Sequence, residues 1–280
     1  MIAFARARVC VRVCMPVKLE MAEGAKQSHV PGTDRTPGCN ILISSRISEE
    51  DASFELSNIL NMLGYGKELR QKRRECHRQC DINFNALLPC DFEIITVGSK
   101  AEGTSRFFES DRDVLLVCKS IHCIEAACDV DLIPENTDVF RMGTLRCYPG
   151  HCILLRERGF SPLLYFAGYD NGHGEVLLSS EYFLNILTIQ VSSFFHTSFF
   201  HKRSGPSLPY TFGGQDVDAV FALRCRCPSI LQNWAARSRH WPPPDIVAKV
   251  VSMGAFLTPV GFKEAKIRFL NGGIASTQVR

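Results

Sequence analysis

Long uninterrupted apolar runs are missing from this 280-residue chain, and so is any large excess of charge of one sign. The longest apolar-looking stretch, YFLNILTIQVSSFFHTSFF from Tyr182 to Phe200, is broken by Asn185, Gln190 and His196, which are costly in hydrocarbon. It reads as a buried core segment and no membrane partner is expected. The basic start, MIAFARARVCVRVC, has Arg6, Arg8 and Arg12 inside the span a signal peptide would need apolar, and too little Ser for a good mitochondrial presequence. A cytoplasmic location is expected, with a nuclear one left open. The net charge of +3 is too small to demand a nucleic-acid partner by itself.

Paired cysteine spacings are missing too. Thirteen cysteines are odd in number and follow no zinc-ribbon or finger pattern. Cys76 and Cys80 with His77, and Cys225 with Cys227, are the nearest to ligand groups, and no second matching pair accompanies either. They read as reduced, mostly buried thiols that pack as small apolar groups.

What is present is a foldable chain, 45% hydrophobic and 22% charged. Residues 1–45 lack apolar periodicity and contain PGTDRTPGCN, so a disordered leader is expected there. Ser48 followed by Asp51 predicts a helix cap, with Leu56, Ile59, Leu60 and Leu63 at helical spacing until Gly64 and Gly66 interrupt. A second helix is predicted from Lys67 to Leu88. It carries Lys67, Arg70, Lys72, Arg73, Arg74, His77 and Arg78, either as a solvated face partnered by Glu68 and Glu75 or as a phosphate-contacting surface.

Strands are predicted in DFEIITVGS, DRDVLLVCKS, GHCILLRE, SPLLYFA, GEVLLSS and DVDAVFALRC. CPSILQNWAARSRHWPPPDIVAKVVSMGAFL reads as two helices, the second opened by PPPD and ended near Gly254. The expected class is α+β or α/β, divided into a leader (1–45), a core with N-terminal helices (46–225) and a helical C-terminal region (226–280).

The stretch TVGSKAEGTSRFFESDRDVLLV carries the chemistry. Residues two apart on a strand share a face, so Asp111 and Asp113 present two carboxylates together while Arg112 turns away. A divalent cation relieves their repulsion better than water does, and clustered carboxylates of this kind hold the ions of phosphoryl-transfer sites. Magnesium suits oxygen ligands, with manganese as the alternative. Gly98 lets the backbone approach a phosphate, and the Ser99 hydroxyl can donate to it. A third carboxylate is expected from a neighbouring strand. DVDAVFALRC offers Asp216 and Asp218, and Asp218 is preferred because it immediately precedes the apolar run.

Taken together with GYGKELRQKRRECHRQC, IPENTDVFRMGTLRCYPGHCILL, SGPSLP and RCPSILQNWAARSRHWPPPDIVAKVVSMGAFLTPVGFK, this stretch resembles the Mab-twenty-one family. These are relatives of cyclic GMP-AMP synthase that include the cGAS-like receptors of animal innate immunity. The likeness spans roughly residues 50 to 263. It implies a polymerase-beta-like nucleotidyltransferase core with a mixed β-sheet, an N-terminal spine helix and a C-terminal helical lobe. It also implies an activity: making a cyclic dinucleotide from ATP and GTP after double-stranded RNA or DNA binds. By position, Gly98 and Ser99 match the triphosphate-gripping motif, and Asp111, Asp113 and Asp218 match the metal-binding acids.

The sequence departs from that pattern in two places. After PVG it runs FKEAKIRFLNGGIASTQVR, so only part of the helical lobe is expected; exposed apolar surface near Phe256 and Ile267 would mark where the rest of such a lobe packs. The cysteine-histidine zinc insert of cyclic GMP-AMP synthase is absent. Two other readings stay open: a catalytically inactive interaction or nucleotide-binding relative, and a nucleic-acid-binding module using the basic helix.

Overall fold

A computed structural model describes residues 9–10, 48–87, 91–144, 147, 150–159, 161, 164, 166–170, 172, 174–194, 199–203 and 205–259. Among them lies one mixed sheet with helices against it, an α+β architecture. The leader expected at 1–45 falls outside the described residues, except Val9–Cys10 (β1), which pairs with a later strand.

Helix α1 (Glu49–Met62) starts where the cap was predicted: the Ser48 hydroxyl oxygen accepts from the Asp51 amide at 3.0 Å. It ends before Gly64, whose φ of +86° suits glycine. None of its residues is buried. Helix α2 (Lys67–Leu87) lies against the first core strand, β2 (Phe92–Thr96). Strand β2 pairs with β3 (Arg112–Ile124) along one edge, and α2 serves the other. The Asn85 amide oxygen accepts from the Ile94 N–H (2.7 Å) while its nitrogen donates to the Ile94 carbonyl (2.9 Å), and Asp81 accepts from the Thr96 N–H (2.9 Å). Helix side chains thus replace a missing strand neighbour and close an otherwise open edge.

The centre of the sheet is a parallel pair, β3 beside β10 (Gln215–Arg226), with Asp113 opposite Asp218 and Leu116 opposite Phe221. On its far side β3 is shared by β2 at residues 114–118 and by β4 (Asp138–Gly143), parallel, at 121–124. The far edge of β10 is likewise shared, by β9 (Ser207–Phe212) and β11 (Ala255–Leu257). Strands β5 (His151–Arg158), β6 (Gly168–Asp170), β7 (Val176–Leu178) and β8 (Phe199–Phe200) extend the two ends. Helix α3 (Gly98–Glu102) follows β2.

Period-two alternation divides β3. Val114, Leu116 and Cys118 enter the main core with Phe92, Ile94, Ala219 and Phe221, whereas Leu115 and Val117 join Ala222 and Phe256 in a smaller cluster. The run from Tyr182 is a helix, α4 (Ser180–Phe194), that sets Phe183, Leu184, Leu187 and Val191 on the main core. Among the described residues no helix is long and apolar enough to cross a membrane.

Two expectations need correction. In SPLLYFA the described residues do not form a strand; Leu164 and Ala167 donate to carbonyls three residues back, as in turns, and the strand begins at Gly168. The C-terminal region is not all helix. After α5 (Pro228–Ala235) and α6 (Pro244–Met253), Gly254 at φ +78° turns the chain back into the sheet as β11. Phe256, whose exposure would have marked the docking place of a missing lobe, is buried, because the β11–β10 ladder presses it onto Leu115 and Val117. Ile267 lies outside the described residues.

One buried ion pair ties helix to sheet. Arg112 Nη2 lies 2.6 Å from Asp81 Oδ1 and donates also to Thr96 Oγ1 (2.7 Å), while the Thr96 hydroxyl donates to the same Asp81 oxygen (2.6 Å). Removing one member of such a pair leaves an uncompensated charge out of water. Asp81→Ala is expected to destabilise the protein by about 3 kcal/mol, read from urea unfolding monitored by circular dichroism. A change within experimental scatter would show that water already reaches this pair.

Candidate metal centre

The parallel register of β3 and β10 sets Asp113 beside Asp218 on neighbouring strands, on the face occupied further along by Leu115, Val117 and Ala222. Asp111 stands two residues before Asp113, just ahead of β3. One oxygen from each of Asp111, Asp113 and Asp218 lies within 4.8 Å of the other two. Asp111 is exposed and the other pair half-buried. Arg112 faces the opposite side, as the alternation predicts, and its guanidinium is committed to Asp81.

Among the described residues no cation pairs with these three carboxylates. Burial, then the charges of Asp111 and Asp218, hold the Asp113 carboxyl above its ordinary value. Of the two acids in DVDAVFALRC, Asp216 is engaged elsewhere, accepting from the Thr211 hydroxyl at 2.8 Å, and Asp218 joins the cluster. Three hard oxygen donors with unrelieved repulsion fit a divalent cation.

Gly98 and Ser99 open α3 rather than forming a bare turn. Gly98 has φ +65°, which favours glycine, and a Cβ there would lie 2.5 Å from Asp113 Oδ2, so any side chain at this position would push that carboxylate aside. The Val97 N–H donates to the Asp113 carbonyl at 2.9 Å, fixing this approach. The Ser99 hydroxyl pairs with that of Ser105 at 2.9 Å. A hydroxyl has one donor and two acceptor positions, so Ser99 can accept from Ser105 and still donate to a phosphate oxygen.

The basic run on α2 is divided. Lys67, Lys72 and Arg78 are exposed, with Arg78 paired to Glu75, while Arg70, Arg73 and Arg74 are half-buried. Arg73 donates to the Gly103 carbonyl (3.4 Å), and His77 is buried with its ring stacked on Phe107 at 5.6 Å. Part of the predicted cationic surface thus holds the loop before Asp111. Among the described residues the aspartate trio is the metal-capable group; Cys76, His77 and Cys80 form none, nor do Cys225 and Cys227. The nine cysteines between Cys76 and Cys227 whose side chains are described are free thiols, five of them buried.

Sequence reasoning passed over Lys100 and Gln215, which both reach the loop between α3 and β3. Lys100 sits in a polar string that resembles solvated loop, and its burial has no local signature. No family model matches this chain, and no curated protein matches it.

Two outcomes follow from this packing. A carboxyl held above its ordinary value favours the proton in the folded state, so Asp113 costs stability as pH rises from about 3.8 through its raised value. In EDTA, Asp113→Asn is expected to raise the melting temperature at pH 7 and to leave it unchanged near pH 3 by differential scanning calorimetry. Gly98→Ala is expected to cost about 1–2 kcal/mol from its left-handed backbone. It should also displace the Asp113 carboxylate, weakening Mn2+ binding in paramagnetic-resonance titrations; wild-type affinity in this variant would contradict the close approach.

Proposed function

We propose that the chain is a Mg2+-dependent nucleotidyltransferase of the cGAS-like receptor type, with Mn2+ an acceptable substitute, that joins ATP and GTP into a cyclic dinucleotide in innate immune sensing. The observation that carries this reading is the convergence of Asp111, Asp113 and Asp218 beside Gly98. In this reading the sheet and its flanking helices are the nucleotidyltransferase core, α2 belongs to the spine, and the chain is a cytoplasmic relative of the Mab-twenty-one family.

Asp111, Asp113 and Asp218 are the residues that would hold the cation. When bound, it neutralises triphosphate charge and activates the attacking oxygen. The chain's own groups do the rest. Ser99 donates its hydroxyl to the triphosphate, and Gly98, lacking a Cβ, lets the backbone come close. Asp218 is the candidate base for the attacking hydroxyl. Lys67, Lys72 and Arg78, with Arg70, Arg73 and Arg74 behind them, are the proposed contacts for a double-stranded RNA or DNA activator.

Purified protein incubated with Mg2+, ATP, GTP and a panel of double-stranded RNA and DNA is expected to yield a dinucleotide product resolved by chromatography and mass spectrometry. Asp113→Ala should abolish it. Mg-ATP binding that depends on Asp113 without any product would identify a non-catalytic nucleotide binder. Equal Mg-ATP binding by wild type and Asp113→Ala would end the nucleotidyltransferase reading. Nucleic-acid affinity that falls steeply with salt and survives loss of all three aspartates would assign the basic helix a role of its own.

A further inference from the structure

Lys100 is fully buried, a rare state for lysine. Its ammonium donates to the carbonyl of Arg106 and, at 2.8 Å, to that of Phe107, and it makes no ion pair with a carboxylate among the described residues. Those carbonyls belong to the loop that joins α3 to β3 and delivers Asp111. The Phe107 carbonyl accepts a second donor, the side-chain nitrogen of Gln215 at 2.9 Å. Gln215 is itself buried and begins β10, three residues before Asp218. From the third side, the Phe107 ring stacks on His77 of α2.

One short peptide segment, 106–107, is thus held by the helix that Gly98 opens, by the strand that carries Asp218 and by α2. Asp111 follows four residues later. It is the exposed member of the trio and stands outside the β3 ladder, so its place depends on this loop more than Asp113 or Asp218 depends on it. Burying an ammonium is costly, and an apolar residue of similar volume would fill the space at lower cost. What lysine adds is several donors on one atom, enough to gather two carbonyls that point to the same spot.

We propose that Lys100, assisted by Gln215, is the positioning residue that sets Asp111 in the metal centre by clamping the 103–110 loop to α3 and β10. This rests on the metal-binding part of the function proposed above. Lys100 touches no substrate; it acts through the loop.

The test is Mn2+ titration of the full chain by paramagnetic resonance, at a temperature where every variant is folded by circular dichroism. Lys100→Met is expected to weaken Mn2+ binding about ten- to hundredfold, as loss of groups that orient metal ligands does. Gln215→Leu should weaken it in the same direction by less. Leu187→Ala, on the opposite face of the sheet in α4, should lower the melting temperature and leave Mn2+ affinity at the wild-type value. Asp113→Ala should abolish binding.

Wild-type affinity in Lys100→Met, with Asp113→Ala inactive in binding, would overturn the positioning role and leave the metal centre standing. If Lys100→Met does not fold, Gln215→Leu decides, and unchanged affinity there overturns the proposal. Equal loss of affinity in Leu187→Ala would reduce Lys100 to a general stabilising residue. Wild-type protein that binds no Mn2+ would remove the metal reading and this proposal with it.

Discussion

Everything at this site depends on the parallel register of two strands. Shifting β10 by one residue against β3 would send Asp218 to the opposite face, beside Val114 and Leu116, and separate it from Asp113. The observed register instead gathers three like charges, with oxygens from Asp111, Asp113 and Asp218 within 4.8 Å of one another. At such separations a pair of unit charges repels by about 1 kcal/mol in water and about 3 at a protein surface. The pairing energy of the strands and the apolar contacts below them must outweigh that repulsion. Leu115, Val117, Ala222 and Phe256 do so on the same face, and the main core does so on the other.

The scaffold separates these opposing demands by the two-residue alternation of β3. Its even-numbered residues, from Arg112 through Cys118, face α2 and the main core; its odd-numbered ones carry Asp113 and the smaller cluster. Arg112 is the residue that makes the division work. Adjacent to two aspartates in sequence, it would neutralise them on the same face. On the other it meets Asp81 and Thr96, where it fastens α2 to β2, the strand that ends two residues before Gly98. The same helix completes the open edge of β2 through Asn85. The position of the glycine against Asp113 is therefore a property of α2 as well as of the strands.

Local patterns carried much of this into the sequence. The Ser48 cap, the PPPD helix start, the Gly254 stop and the alternation of DRDVLLV are decided by neighbours within a few residues, and the structure shows all of them. The grouping of Asp218 with Asp111 and Asp113 was legible because Asp218, like Asp113, immediately precedes an apolar run, although a strand-end aspartate commonly serves no metal at all. Strand β4 was not, since DVFRMG has weak alternation and is held by β3 and β5. Strand β11 was hidden because three residues after a helix show no period. SPLLYFA has strand composition but turn hydrogen bonds. The basic run on α2 looked uniform in sequence, and only the approach of the loop separates Arg73 and His77 from Lys72 and Arg78.

The arrangement of nearby cations gives the site its character. Two positive side chains, Lys100 and Arg112, lie next in sequence to residues of the cluster and its glycine turn, and both are turned to other partners. Lys100 spends its hydrogen bonds on backbone carbonyls, and Arg112 on Asp81 and Thr96. Had either pointed at the carboxylates, a permanent ion pair would have relieved the repulsion. Instead these two cations brace the walls, and among the described residues none forms an ion pair with the three carboxylates at this rim of the sheet. A structural cluster would be expected to satisfy itself from within. Here three carboxylates that could hold a divalent cation gather at one rim while the neighbouring lysine and arginine brace the elements that carry them.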